Sequence, residues 1–130
     1  MAIESNKQLV FLVEDDRFYL ELLENYFSEK DHFKVLPFLT GEECIANLNL
    51  NPDLVILDYF LDRHNPNAMD GKIVYRKIVE QCPNARIVVV SAQQSTEVVF
   101  GLVKEGVKDY VMKGKETFEQ LDLLLAQNTY

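Results

Sequence analysis

Five times along the chain a short apolar run gives way to a segment whose apolar residues recur at helical spacing, and this alternation restricts the fold more than any other feature. The first run, QLVFLV at 8–13, stops at Glu14, Asp15 and Asp16, after which Phe18, Leu22, Leu23, Tyr26 and Phe27 follow a helical period, with Asp16 placed to cap the helix. FKVLPFL at 33–39 reads as a second strand. Pro37 has no N–H to give a central ladder, which assigns that strand to a sheet edge. Thr40 then opens a helix reaching to about Asn49, with Glu43 at capping-box distance. DLVILD at 53–58 is apolar enough for a parallel strand covered on both faces, and it ends on a carboxylate. A loop from Tyr59 to Gly71 precedes the helix KIVYRKIVEQC, which Pro83 and Asn84 close, and ARIVVVSA supplies a fourth strand ending at Ser91. STEVVFGLVKEG is helical in period with Gly106 as a left-handed stop, VKDYVMK is a short fifth strand, and ETFEQLDLLLAQ is a final helix.

Crossovers between parallel strands are helical and right-handed, so the pattern predicts a doubly wound α/β fold: a mostly parallel five-stranded sheet flanked by five helices. At 130 residues, with 48% hydrophobic and 26% charged side chains, the chain suits one globular domain over 1–130 and leaves no room for a second. The net charge of −8, with dispersed basic residues, excludes an autonomous nucleic-acid binder, whose affinity would rest on phosphate neutralisation. No apolar run approaches the roughly 20 residues needed to cross a bilayer. The start lacks a signal-like stretch and Cys44 and Cys82 have no metal or redox spacing, so no membrane contact and a cytoplasmic setting are expected.

In sheets of this kind ligands bind beyond the carboxyl ends of the strands. Those ends carry Glu14 and Asp15, Asp58, Ser91 and Lys113. Each alone is an ordinary polar strand end; together they make a crevice with carboxylates, a hydroxyl and an ammonium. Crowded carboxylates repel, and a hard cation with oxygen ligands relieves the repulsion. Mg²⁺ is the natural choice, bridging Asp15, Asp58 and a phosphoryl group. A carboxylate also serves as a nucleophile towards phosphorus, with Lys113 balancing charge and Ser91 donating to a phosphoryl oxygen.

With VEDD at 13–16, LVILD at 54–58, MDG at 69–71, VVVSA at 88–92 and DYVMK at 109–113, the chain resembles, over essentially its whole length, the receiver domain of two-component response regulators. The resemblance implies a flavodoxin-like (βα)5 fold with strand order 2-1-3-4-5. It makes Asp58 the phosphoacceptor, Asp15 a direct Mg²⁺ ligand, Glu14 a ligand through water, and the Phe60 backbone carbonyl a further ligand. Ser91 would follow the phosphoryl oxygen, Ala92 would be the small residue beside it, Lys113 the charge partner, and Tyr110 the aromatic that changes rotamer. A sensor histidine kinase or histidine phosphotransfer protein would supply the phosphoryl group. The face of helix four, strand five and helix five would then meet a downstream protein that the sequence does not name. The family would make the chain a monomer or weak dimer. It would be a switch with Mg²⁺-dependent self-phosphorylation from a phosphodonor and slow autodephosphorylation.

Three departures from the family pattern stand out. The loop between Asp58 and Gly71 is about five residues longer than usual and carries Asp62, Arg63 and His64; such insertions are thermodynamically cheap. Phe60 stands where a small or polar side chain helps orient water, and with Gln93 opposite it is expected to slow loss of the phosphoryl group. Lys113 is followed by Gly114 instead of a proline in a cis bond, so a trans connection or a strained loop is expected.

Other residues read more plainly. His32 and His64 are expected at the surface, Cys44 and Cys82 as small buried hydrophobes, and Tyr19, Tyr26, Phe27 and Phe33 as helix–sheet packing. Val98, Val99, Leu102 and Val103 form the expected apolar side of the fourth helix, with Phe100 outside it. A haloacid-dehalogenase-like phosphatase would need a second aspartate two residues after the nucleophile, where Phe60 stands. A nucleotide-binding fold would need a glycine-rich loop after strand one, where acids stand. A degenerate receiver acting only as an interaction module would be expected to lose the acids or the lysine, and all are retained. With no output domain after the last helix, action through another protein or onward phosphotransfer is expected.

Overall fold

The computed structural model describes residues 7–61, 67–92 and 95–127. Five parallel strands are ordered β2-β1-β3-β4-β5: β1 (Gln8–Val13), β2 (Phe33–Phe38), β3 (Leu54–Asp58), β4 (Arg86–Ser91) and β5 (Asp109–Met112). The helices are α1 (Arg17–Ser28), α2 (Gly41–Ala46), α3 (Gly71–Gln81), α4 (Thr96–Lys104) and α5 (Thr117–Ala126). This is the doubly wound sheet that the alternation predicts, with β2 at an edge.

The near-continuous apolar strands follow from burial on both faces. Side chains alternate across a strand, so Phe11, Val13, Val55, Leu57 and Val89 enter one core with Cys44, Val74, Ile78 and Leu102 of α2, α3 and α4. Val10, Leu12, Ile56, Val88 and Val90 enter the other with Leu20, Leu23 and Phe27 of α1 and Leu121 of α5. Pro37 lies opposite Leu12 in the register. Its neighbour Phe38 turns its carbonyl inward to accept from Glu14 N at 3.0 Å, so Pro37 faces outward where no ladder donor is missed.

The caps follow the sequence closely. Asp16 accepts from Phe18 N and Tyr19 N, Ser95 from Val98 N and Asp70 from Ile73 N, and Gly106 adopts φ 93 just past α4. Thr40 accepts from Glu43 N at 3.1 Å, while the Glu43 carboxylate reaches back to Leu39 N, one residue earlier than a closed capping box.

Two expectations are corrected. The helix expected to reach Asn49 stops at Ala46 and gives way to a 3₁₀ turn at Leu48–Leu50. The Asn47 amide donates to the Glu43 carbonyl at 2.8 Å, capturing the acceptor that the next helical N–H would use. On α4 only Val98 and Leu102, a single i,i+4 row, pack inward. Val99 and Val103 lie on the neighbouring row and are exposed with Phe100. Cys44 and Cys82 are buried, and His32 is exposed. His64 lies outside the described residues. Among the described residues no helix is long and apolar enough to cross a membrane.

Candidate phosphoacceptor site

Strand order reverses between β1 and β3, which opens a crevice at their carboxyl ends. The register pairs Val13 with Leu57 and Asp58 with Val90, so Glu14 follows β1 level with Asp58, and Ser91 ends β4 just beyond it. Lys113 follows β5, its N–H donating to the Ser91 carbonyl at 2.9 Å. Four strands thus deliver the residues singled out in the sequence to one place.

Asp58 and Glu14 are buried and Asp15 half-buried. Asp58 Oδ1 accepts from Phe60 N at 3.1 Å, a local turn that fixes the carboxylate at the strand end. Lys113 Nζ stands 3.5 Å from Asp58 Oδ2 and 2.7 Å from Glu14 Oε1, and Glu14 Oε2 accepts from Asp16 N at 3.1 Å. One ammonium therefore serves two buried carboxylates. Burial, reinforced by the charge on Asp58, raises the Glu14 carboxyl from 4.5 to about 8 against the opposing pull of Lys113. Ser91 is fully buried beside Tyr110, whose hydroxyl pKa is raised by burial and held back by the Ser91 hydroxyl.

One oxygen from each of Glu14, Asp15 and Asp58 lies within 4.8 Å of the others. This all-carboxylate, largely buried donor set suits a hard divalent cation such as Mg²⁺, and the excess negative charge left by a single ammonium favours one. Such a set is consistent with metal-dependent self-phosphorylation chemistry.

Residues 10–125 match the model of the response regulator receiver domain. The chain belongs to that family. This receiver is 32% identical, over 91% of its length, to the probable C4-dicarboxylate response regulator DctR of Halalkalibacterium halodurans, of which it spans about half (50%). It is 25% identical to the chemotaxis protein CheY of Listeria monocytogenes, covering 88% of this chain and 93% of that one. Among solved structures, the CheX–CheY–BeF3–Mg complex of Borrelia burgdorferi shares the fold, with TM-score 0.76, 24% identity and coverage of 95% of this chain and 90% of the other. A CheY-like receiver from Methanospirillum hungatei superposes with TM-score 0.77 at 20% identity, covering 93% of each chain. The acidic cluster is consistent with the phosphoacceptor site of the family.

The remaining sequence-predicted residues are placed unevenly. Phe60 is half-buried next to Asp58, and Ala92 is exposed after β4. Gln93, with Asp62, Arg63 and His64 of the long loop, lies outside the described residues. No cis peptide bond occurs among the described residues, so the Lys113–Gly114 connection is the trans one.

Two site residues escaped the sequence reading. Tyr19, assigned there to packing, sits beneath the ammonium, with Lys113 Nζ 4.4 Å from its ring centroid. Its place in the first turn of α1, three residues past the capping Asp16, was the available signal. Thr117 is buried under the β5–α5 loop, and its hydroxyl hydrogen-bonds at Met112 and Gly114 on either side of Lys113. The sequence reading took ETFEQLDLLLAQ only as a final helix and did not single out Thr117.

Proposed function

We propose that this receiver is a phosphoacceptor switch in which Asp58 takes a phosphoryl group from a sensor histidine kinase or histidine phosphotransfer protein. The observation that carries the reading is the buried Asp58 carboxylate, joined to Glu14 and Asp15 on one side and Lys113 on the other. An Asp58 oxygen attacks phosphorus, the bond from phosphorus to the donor histidine nitrogen breaks, and the imidazole leaves with the electron pair and gains a proton. Asp15, Asp58 and the Phe60 carbonyl would hold Mg²⁺, with Glu14 acting through water, since both Glu14 oxygens already have partners in Asp16 N and Lys113. Bound Mg²⁺ supplies charge neutralisation for the phosphoryl oxygens. Lys113 contributes the second positive charge.

The Ser91 hydroxyl then turns to a phosphoryl oxygen, and Tyr110 follows by changing rotamer. The differential hydrogen bonding shifts an existing two-state equilibrium. Exposed Val99, Phe100 and Val103 on α4 and Met112 on β5 support the α4–β5–α5 face as the surface that meets a downstream protein.

The test is intact mass over time with Mg²⁺ and acetyl phosphate, beside Asp58→Asn. The parent should gain one phosphoryl mass and the variant none. A folded, Mg²⁺-binding parent that stays unmodified with both acetyl phosphate and a phosphorylated histidine donor would sink the reading in favour of an interaction-only receiver. Decay after donor removal tests Phe60: replacing it with a small polar residue should shorten the phosphoryl lifetime.

A further inference from the structure

The direction of the Lys113 side chain is set by the two peptide groups that flank its Cα. On the strand side, Lys113 N donates to Ser91 O at 2.9 Å. Beyond it the backbone closes the loop with a long bond, Thr117 N donating to Gly114 O at 3.4 Å. An added Cβ at Gly114 would meet nothing within 4 Å and its φ lies outside the left-handed region, so crowding does not shape the turn. Glu116, at the start of α5, makes no side-chain cap.

Thr117 supplies what these residues do not. Its hydroxyl accepts from Gly114 N at 2.7 Å and offers its one proton to Met112 O at 3.0 Å or Gly114 O at 2.9 Å. Met112 O belongs to the peptide before Lys113 and Gly114 N to the peptide after it. With its proton on Met112 O, a single hydroxyl, 1% exposed, ties both planes around the lysine Cα. A backbone rotation of about 15° carried along a side chain roughly 6 Å long would displace Nζ by about 1.5 Å. That is comparable with the difference between contact and separation at a carboxylate.

We propose that Thr117 is a positioning residue whose hydroxyl, by clamping Met112 and Gly114, holds the Lys113 ammonium at the Asp58–Glu14 carboxylates. The catalytic consequence rests on the reading of Lys113 as the charge partner of the phosphoryl group, but the geometric claim does not.

The Tyr19 ring under the ammonium gives a reporter, because its ring current shifts the Lys113 ε-methylene protons upfield. The Thr117 side chain also reaches the Tyr19 hydroxyl, so Tyr19→Phe, which keeps the ring and removes that contact, is the control and should leave the shift in place. The measurement is the proton shift of that methylene, assigned with Lys113→Arg, in the parent, Thr117→Val and Thr117→Ser. Alongside it runs the maximal phosphorylation rate from acetyl phosphate at saturating Mg²⁺. Thr117→Val should lose the upfield shift and slow maximal phosphorylation about 10- to 100-fold, while Thr117→Ser retains both. Should Thr117→Val not fold, Thr117→Ala against Thr117→Ser gives the same comparison, differing by one oxygen. A Val or Ala variant with the parent's shift and a rate within about twofold would overturn the proposal. If the parent takes no phosphoryl group, the proposed function fails, and the methylene shift alone still decides the role of Thr117.

Discussion

The surroundings of Glu14 oppose its charge. Its folded pKa, raised to about 8 chiefly by burial and then by Asp58, stands above the ordinary 4.5. Between those values the native protein binds a proton that the unfolded chain does not, so this contribution to stability is complete below about pH 4.5 and is lost as pH rises through about 8. Without metal, the parent should lose on the order of a few kcal/mol relative to Glu14→Gln between pH 5.5 and 8.5 in urea unfolding. A parent and variant that track each other across that range would contradict the account. The acidic residues were legible because an apolar run that stops on a carboxylate leaves few other interpretations. Tyr19 and Thr117 were not, because their roles depend on where a helix lies over a loop, and no periodicity records that. The position of Phe60 was readable as well, while Gln93, read as facing it, lies outside the described residues.

At the level of the element, junctions carry more than interiors. α3 begins hard against the backbone that follows Asp58: Gly71 N donates to Tyr59 O at 3.1 Å, and a Cβ at Gly71 would fall 2.2 Å from that oxygen. Gly71→Ala should therefore destabilise by about 2–4 kcal/mol and, on the proposed function, slow phosphorylation, because backbone must move at the strand end that carries Asp58. Denaturant midpoint and phosphorylation rate measured together check both parts. α4 offers the opposite contrast. Leu102 is 2% exposed and Leu102→Ala should cost about 2–4 kcal/mol, whereas Phe100, 64% exposed, should tolerate alanine within about 0.5 kcal/mol. Paired urea melts would separate the two rows. Composition marked α4 as strongly apolar but did not say which row faced the sheet, since Val98, Val99, Leu102 and Val103 are interchangeable by hydrophobicity. The break in α2 was similarly hidden, because an asparagine amide that bonds its own helix is visible only in space.

For the whole molecule, the alternation of runs and periods was enough to read the fold class, and Pro37 alone placed β2 at an edge. Charge ties this architecture to solution conditions. A divalent ion that binds the folded carboxylates and not the unfolded chain stabilises by about 2.7 kcal/mol at a hundredfold excess over its Kd. Added Mg²⁺ should raise Tm in the parent, more at pH 8 than at pH 6 because protons compete for Glu14, and much less in Asp15→Asn. Scanning calorimetry with EDTA or Mg²⁺ at the two pH values reads this directly.

Pro37 has one further effect, on how copies of the molecule meet. A sheet with open edges is a template on which another chain can build. On the β2 side the outward row lacks a donor at Pro37, and on the other side β5 offers only the four residues Asp109–Met112. Strand addition is thus discouraged at both ends of the sheet.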